Sequence, residues 1–109
     1  MIQRENRVEE ELKAYLQNRN ITMYRVEGKG GRGGVLDTLC ITPNGDLFIL
    51  EVKDGSDYSI AQQYLLKRVK NAWGVFRSAG KWVIEDFHGK EVYRMGFDYL
   101  LKILGEKNG

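Results

Sequence analysis

Histidine, cysteine and proline each occur once in this chain, and each scarcity excludes a class of chemistry. A lone His88 offers neither a histidine-rich zinc site nor a histidine-based catalytic triad. A lone Cys40 cannot staple a fold; set within a strand-like stretch, it reads as a small core residue and points to a reducing, intracellular setting. No apolar run approaches the length that crosses a bilayer, and the opening Met-Ile-Gln-Arg-Glu-Asn does not resemble a secretory leader. The expectation is therefore a cytoplasmic protein with no membrane partner. No segment repeats, and the 109 residues suit a single domain, 1–109, with one core.

Charge is nearly balanced at +2 but unevenly spread. Between Tyr58 and Ile84 there is no acid, while Lys67, Arg68, Lys70, Arg77 and Lys81 are all basic. The acids crowd the N-terminal stretch at Glu5, Glu9, Glu10 and Glu11. A basic stretch of this kind suits a polyanion, although basic helix faces are usually just solvated.

The densest information lies from Val35 to Lys53, which reads as a β-hairpin. In its second strand, alternation sets Leu47, Ile49, Glu51 and Lys53 on one side and Phe48, Leu50 and Val52 on the other. Both sides are apolar enough to bury, so Glu51 and Lys53 stand where a core prefers no charge. In the first strand Val35, Asp37, Leu39 and Ile41 share a side. The turn decides whether the two carboxylates meet. A two-residue Asn44-Gly45 loop would set Asp37 on the wrong face. Pro43 instead favours a three-residue loop, with Gly45 in the left-handed conformation and Thr42 opposite Asp46. Asp37 then opposes Glu51, with Cβ atoms about 4.5–5.5 Å apart, close enough to share one cation. Two bare carboxylates at about 4 Å would repel by about 4 kcal/mol at an effective dielectric of 20. The plainer alternative is an exposed hairpin with ordinary surface acids.

Around this hairpin, Val8, Leu12, Tyr15 and Leu16 predict a helix over 3–18. Glu5 falls about 35° from the centre of its apolar face and Glu9 about 75° away, so Glu5 is the acid expected to reach inward. It could equally complement the helix dipole as a first-turn acid. A strand follows over 22–27. The glycine-rich Gly28–Gly34 matches G-x-G-x-x-G but leads into a strand, so a dinucleotide site is rejected; its Lys29 and Arg32 could lie along a phosphate chain. Ser59 is a good N-cap for a helix from Ile60. That helix either runs to Ser78 or stops near Gly74, leaving Val75–Ser78 as a strand. A hairpin around His88-Gly89 and a helix over 97–104 complete the pattern. The apolar residues of that last helix, Phe97, Leu100, Leu101 and Leu104, could cover the sheet or meet a partner.

Taken in order, Glu5-x-x-Val8 ahead of Leu12, Gly34-x-x-Asp37, Glu51-Val52-Lys53 and Ser59-x-x-Gln62 resemble the PD-(D/E)XK nucleases. The closest resemblance is to the VRR-NUC (virus-type replication-repair nuclease) domains in their small stand-alone form. The likeness covers about two-thirds of the chain, from Arg4 to Ser78. One departure is Leu36, where the family usually has proline.

The resemblance implies an α/β fold, a restriction-endonuclease-like αβββαβ core with a mixed central sheet flanked by helices. It implies Mg²⁺ or Mn²⁺ held by Asp37, Glu51, the Val52 carbonyl and Glu5. The catalytic set would be Asp37, Glu51, Lys53, Gln62 and Glu5, with Lys29, Arg32, Lys67 and Lys70 on DNA. The implied activity is structure-selective endonuclease cleavage of branched DNA by a Holliday-junction-resolving homodimer, and a viral or phage origin would fit. The alternatives are a restriction-type or nicking enzyme on duplex DNA and a non-catalytic DNA-binding module of the same fold.

Overall fold

The computed structural model describes residues 4–25, 38–53 and 57–108, with side chains except at 4–6, 25, 107 and 108. Helix α1 (Arg4–Gln17) opens the chain. Its end is set by a Schellman motif. Asn20 adopts φ 60, a conformation asparagine tolerates, while Ile21 N donates to Leu16 O (3.0 Å) and Asn20 N to Gln17 O (2.9 Å). Leu16 and Ile21, which flank the motif, are both buried.

The chain then enters β1 (Thr22–Arg25), β2 (Thr38–Ile41) and β3 (Leu47–Val52), which pair antiparallel in sequence order. The expected turn is present. Thr42 N donates to Asp46 O (2.9 Å), Gly45 N donates to Thr42 O (2.9 Å), and Gly45 takes φ 90. The register that follows pairs Ile41 with Leu47 and Thr38 with Leu50, as the three-residue loop predicts. Asp37, the next residue back, lies outside the described residues.

Helix α2 (Ile60–Arg68) crosses over to β4 (Ala72–Ser78), which runs parallel to β3. The second of the two expected endings for α2 is thus nearer the truth, with the helix stopping earlier and the strand starting earlier than foreseen. Strands β5 (Lys81–Asp86) and β6 (Tyr93–Met95) add antiparallel to β4, and α3 (Phe97–Asn108) closes the chain. The β4–β5 turn places Ala79 and Gly80 both at positive φ, the two-residue connection that matches strand twist.

The described residues form a six-stranded mixed sheet in simple sequence order, β1 to β6, with three helices. Alternation sorts the side chains into two unequal cores. On one face Phe48 and Leu50 of β3, Trp73 and Val75 of β4, and Trp82 and Ile84 of β5 pack with Leu12 and Leu16 of α1 and Phe97, Leu100 and Leu104 of α3. Cys40 belongs to this core. The apolar face of α3 is thereby used on its own sheet. Among the described residues the opposite face is covered by α2, through a small cluster of Tyr58, Leu66, Ala72 and Phe87 with Ile49 and Val69 alongside. Among the described residues no helix is long and apolar enough to cross a membrane.

Candidate active site

Because α2 is only nine residues long, its apolar footing ends at the Ile49, Ala72 and Phe87 level of the sheet. One step further along the strands the same face turns polar. Glu51 pairs with Gly74, Gly74 with Glu85, and Glu85 with Arg94, forming one row across four strands. Laterally paired residues point to the same side. The row therefore presents two carboxylates, a gap at glycine and a guanidinium beside the start of α2.

Glu51 is 7% exposed, in keeping with the buried charge expected from the hairpin. Its Oε2 accepts a hydrogen bond from Gln62 Nε2 at 2.5 Å. The local fold explains why Gln62 faces it. Ser59 caps α2, its Oγ accepting from Gln62 N (3.0 Å), while Ser59 N donates to Gln62 Oε1 (2.8 Å). This capping box fixes the Gln62 amide by its oxygen and leaves its nitrogen turned to Glu51. Gln63 is occupied otherwise, donating to Tyr58 O (2.9 Å).

Lys53, one pleat beyond Glu51, meets Glu85, with Nζ 3.4 Å from Oε1. It also lies 5.1 Å from the ring centroid of Tyr58 and 4.7 Å from that of Phe76. Glu85 is 3% exposed, and both of its oxygens are engaged. Oε1 also accepts from the Tyr58 hydroxyl (3.0 Å), and Oε2 accepts from Arg94 Nε (3.0 Å). Tyr58 fills the gap over Gly74, where an added Cβ would stand 2.2 Å from its hydroxyl oxygen. Burial first, then the negative charge of Glu85 and its hydrogen bond, push the Tyr58 hydroxyl well above the ordinary tyrosine range. It stays protonated and donates.

The sequence reading missed Tyr58, Glu85 and Arg94. The signal for Glu85 was present, since Val83-Ile84-Glu85 puts a carboxylate into an apolar strand as Leu50-Glu51 does. What joins it to Glu51 is the β3–β4–β5 register, which no local pattern carries.

Among the other expected site residues, Lys67 and Lys70 are exposed at and just beyond the end of α2. Lys29, Arg32, Asp37 and the side chain of Glu5 lie outside the described residues. Glu9 is 6% exposed, more deeply placed than its angle suggested, because it shares the α1 face of Leu12 and Leu16. The basic stretch is also divided between faces. Arg77 points away from the row of acids and pairs with Glu11 of α1 (2.6 Å), over the Trp82 ring. Among the described residues no group of three or more His, Cys, Asp or Glu is arranged to hold a metal ion. The described oxygen donors of the expected set are Glu51 and the Val52 carbonyl alone.

Compared with known proteins, the chain matches no family model, no curated protein and no solved structure.

Proposed function

We propose that this chain is a metal-dependent, structure-selective DNA endonuclease that hydrolyses phosphodiester bonds in branched DNA, on a restriction-endonuclease-like core. The observation that carries the reading is the Gln62–Glu51 contact. It joins the Glu51-Val52-Lys53 and Ser59-x-x-Gln62 motifs, eleven residues apart in sequence, at the open end of a parallel strand pair. The order of elements, a helix, three antiparallel strands, a crossover helix and a strand parallel to the third, agrees with the αβββαβ order that the motifs imply.

Glu51, the Val52 carbonyl, Asp37 and Glu5 would hold Mg²⁺ or Mn²⁺ through hard oxygen donors. The ion, when bound, supplies Lewis acidity toward phosphate and hydroxide near neutral pH. Gln62 holds Glu51 by one oxygen and so fixes the direction of the other. Lys53 stabilises the charge that builds on the phosphate oxygens, a contribution worth about 10²–10³ in rate for a single well-placed donor. Lys67 and Lys70, with Lys29 and Arg32, would neutralise flanking phosphates. Symmetric cutting of a four-way junction needs two such sites, hence a homodimer.

The test is cleavage of labelled linear duplex, single strand, flap and four-way junction in Mg²⁺, Mn²⁺ or EDTA. Metal-dependent cutting of the branched substrates supports the reading, and preference for linear duplex moves it to a restriction-type or nicking enzyme. One observation favours a second reading. The Lys53–Glu85 pair also suits a purely structural ion pair in a non-catalytic DNA-binding module. Under that reading the junction is bound and never cut.

A further inference from the structure

Three groups converge on the Glu85 carboxylate: the Tyr58 hydroxyl, the Lys53 ammonium and the Arg94 guanidinium. The two cations outnumber the single acid, so the cluster carries one surplus positive charge beside Glu51. Lys53 is held at its tip by two aromatic rings as well as by Glu85. Its ammonium lies near the rings of Tyr58 and Phe76, and Arg94 lies 5.7 Å from the same Phe76 ring. An ammonium has three N–H donors, and the contact with Glu85 uses one. Arg94 is anchored through Nε while its side chain stays 64% exposed, which leaves its terminal nitrogens toward solvent. Glu85 itself is two strand spacings from Glu51, about 9–10 Å. With both oxygens occupied by cations and a hydroxyl, it is ill-suited to share a metal with Glu51.

We propose that Glu85 is the positioning residue of the site. It holds Lys53 so that the remaining N–H donors face the phosphate being cut, and it presents Arg94 as a second phosphate contact on the same side. This rests on the nuclease reading and adds to it a residue, a partner cation and a direction for the DNA backbone, from Glu51 past Lys53 toward Arg94 on β6.

The experiment compares the full-length wild type with Glu85→Gln, Glu85→Asp, Lys53→Met and the double variant Glu85→Gln/Lys53→Met. Single-turnover cleavage of a four-way junction is measured in Mg²⁺, and affinity for the same junction in Ca²⁺ over a range of salt. Glu85→Gln should slow cleavage by about 100-fold, the usual cost of a misplaced catalytic group. It should bind the junction more tightly, since a negative charge beside the DNA is gone. Its log affinity should fall with log salt more steeply by about one unit, because the net positive charge facing the DNA rises by one. Glu85→Asp should recover part of the loss, cutting about tenfold more slowly than wild type. Because Glu85 acts on the cutting step through Lys53 and on binding through Arg94, the double variant, at saturating enzyme, should cut no more slowly than Lys53→Met alone.

Additive losses in the double variant overturn the proposal. So does a Glu85→Gln protein that cuts like wild type, or one whose affinity and rate fall in proportion to its folded fraction. If Glu85→Gln does not fold, Glu85→Asp carries the test, with about a tenfold rate loss expected at unchanged affinity for the shorter acid; wild-type cleavage refutes it. A wild type that cuts none of the DNAs removes the nuclease reading, and this inference with it. A cutting wild type with an indifferent Glu85 removes this inference alone.

Discussion

Replacing Gly74 with alanine should cost far more than a methyl group in a β-strand normally does. The added Cβ would stand 2.2 Å from the Tyr58 hydroxyl oxygen, 2.6 Å from Cζ and 3.2 Å from Cε1. The far end of a side chain can often give way, but Tyr58 is pinned. It is buried, its ring packs edge-on to Phe87 at 5.4 Å, and its hydroxyl donates to Glu85. Retreat by an ångström or so breaks that hydrogen bond to a charged group, worth about 1.5–3 kcal/mol. Repacking the small cluster around the displaced ring adds about 1–3 kcal/mol. The sum is about 2.5–6 kcal/mol, a large share of a total stability of about 5–15 kcal/mol. For a domain near this size it corresponds to a fall in Tm of about 10–24 °C. Thermal and urea unfolding followed by far-UV circular dichroism would measure it. A double-mutant cycle isolates the cause. In a Tyr58→Ala background the obstacle is gone, and Gly74→Ala should cost less than about 0.5 kcal/mol. A single Gly74→Ala variant within about 1 kcal/mol of wild type, or an equal loss in both backgrounds, would refute the packing described over Gly74.

Ser59→Ala removes the cap that orders the start of α2 and should cost about 1 kcal/mol. It should also slow DNA cleavage, because losing the bond from Gln62 N to Ser59 Oγ loosens the first turn from which Gln62 reaches Glu51; unaltered cleavage would mean that the retained Ser59 N–H bond to Gln62 Oε1 suffices. Burial pushes the Cys40 thiol up to about 12. Native protein at pH 8 should therefore resist iodoacetamide that labels it readily in urea. Its unfolded thiol ionises first, near 9, so the Cys40 contribution is complete below that pH and is lost as pH rises toward 12. A Cys40→Ala variant should show a weaker decline of stability over that interval in urea titrations. Arg77→Ala breaks a half-exposed pair with Glu11 and a contact over the Trp82 ring and should change stability by about 1 kcal/mol; a loss several times larger would mean that α1 is held chiefly by those contacts.

Much of this structure is written locally in the sequence. The Pro43–Gly45 turn fixes the β2–β3 register, and that register puts Glu51 on the face opposite Phe48 and Leu50. Ser59 and Gln62 declare the start of α2 in the same local way. The end of α2 was ambiguous for a physical reason. Ala72 to Val75 are buried on both faces of the sheet, and a central parallel strand of that kind has no alternation to distinguish it from a buried helix. The partner of Lys53 was illegible for a different reason. Glu85 is 32 residues away and reaches Lys53 only through the pairing of β4 with β5. Gly74, expected near the end of the helix, lies inside β4 and gains its meaning from Tyr58 above it. Arg77 was grouped with the basic stretch by sequence proximity, whereas strand alternation sends it to the α1 side.

The most direct measurement for the central claim is cleavage of a labelled four-way junction by wild type and Glu51→Ala, each purified identically, in Mg²⁺ and in EDTA. The expected result is paired cuts across the junction by the wild type in Mg²⁺, none in EDTA and none by Glu51→Ala at equal folded concentration. Equal cutting by both proteins, or binding of the junction with no cutting under any condition, would contradict a nuclease site built on Glu51.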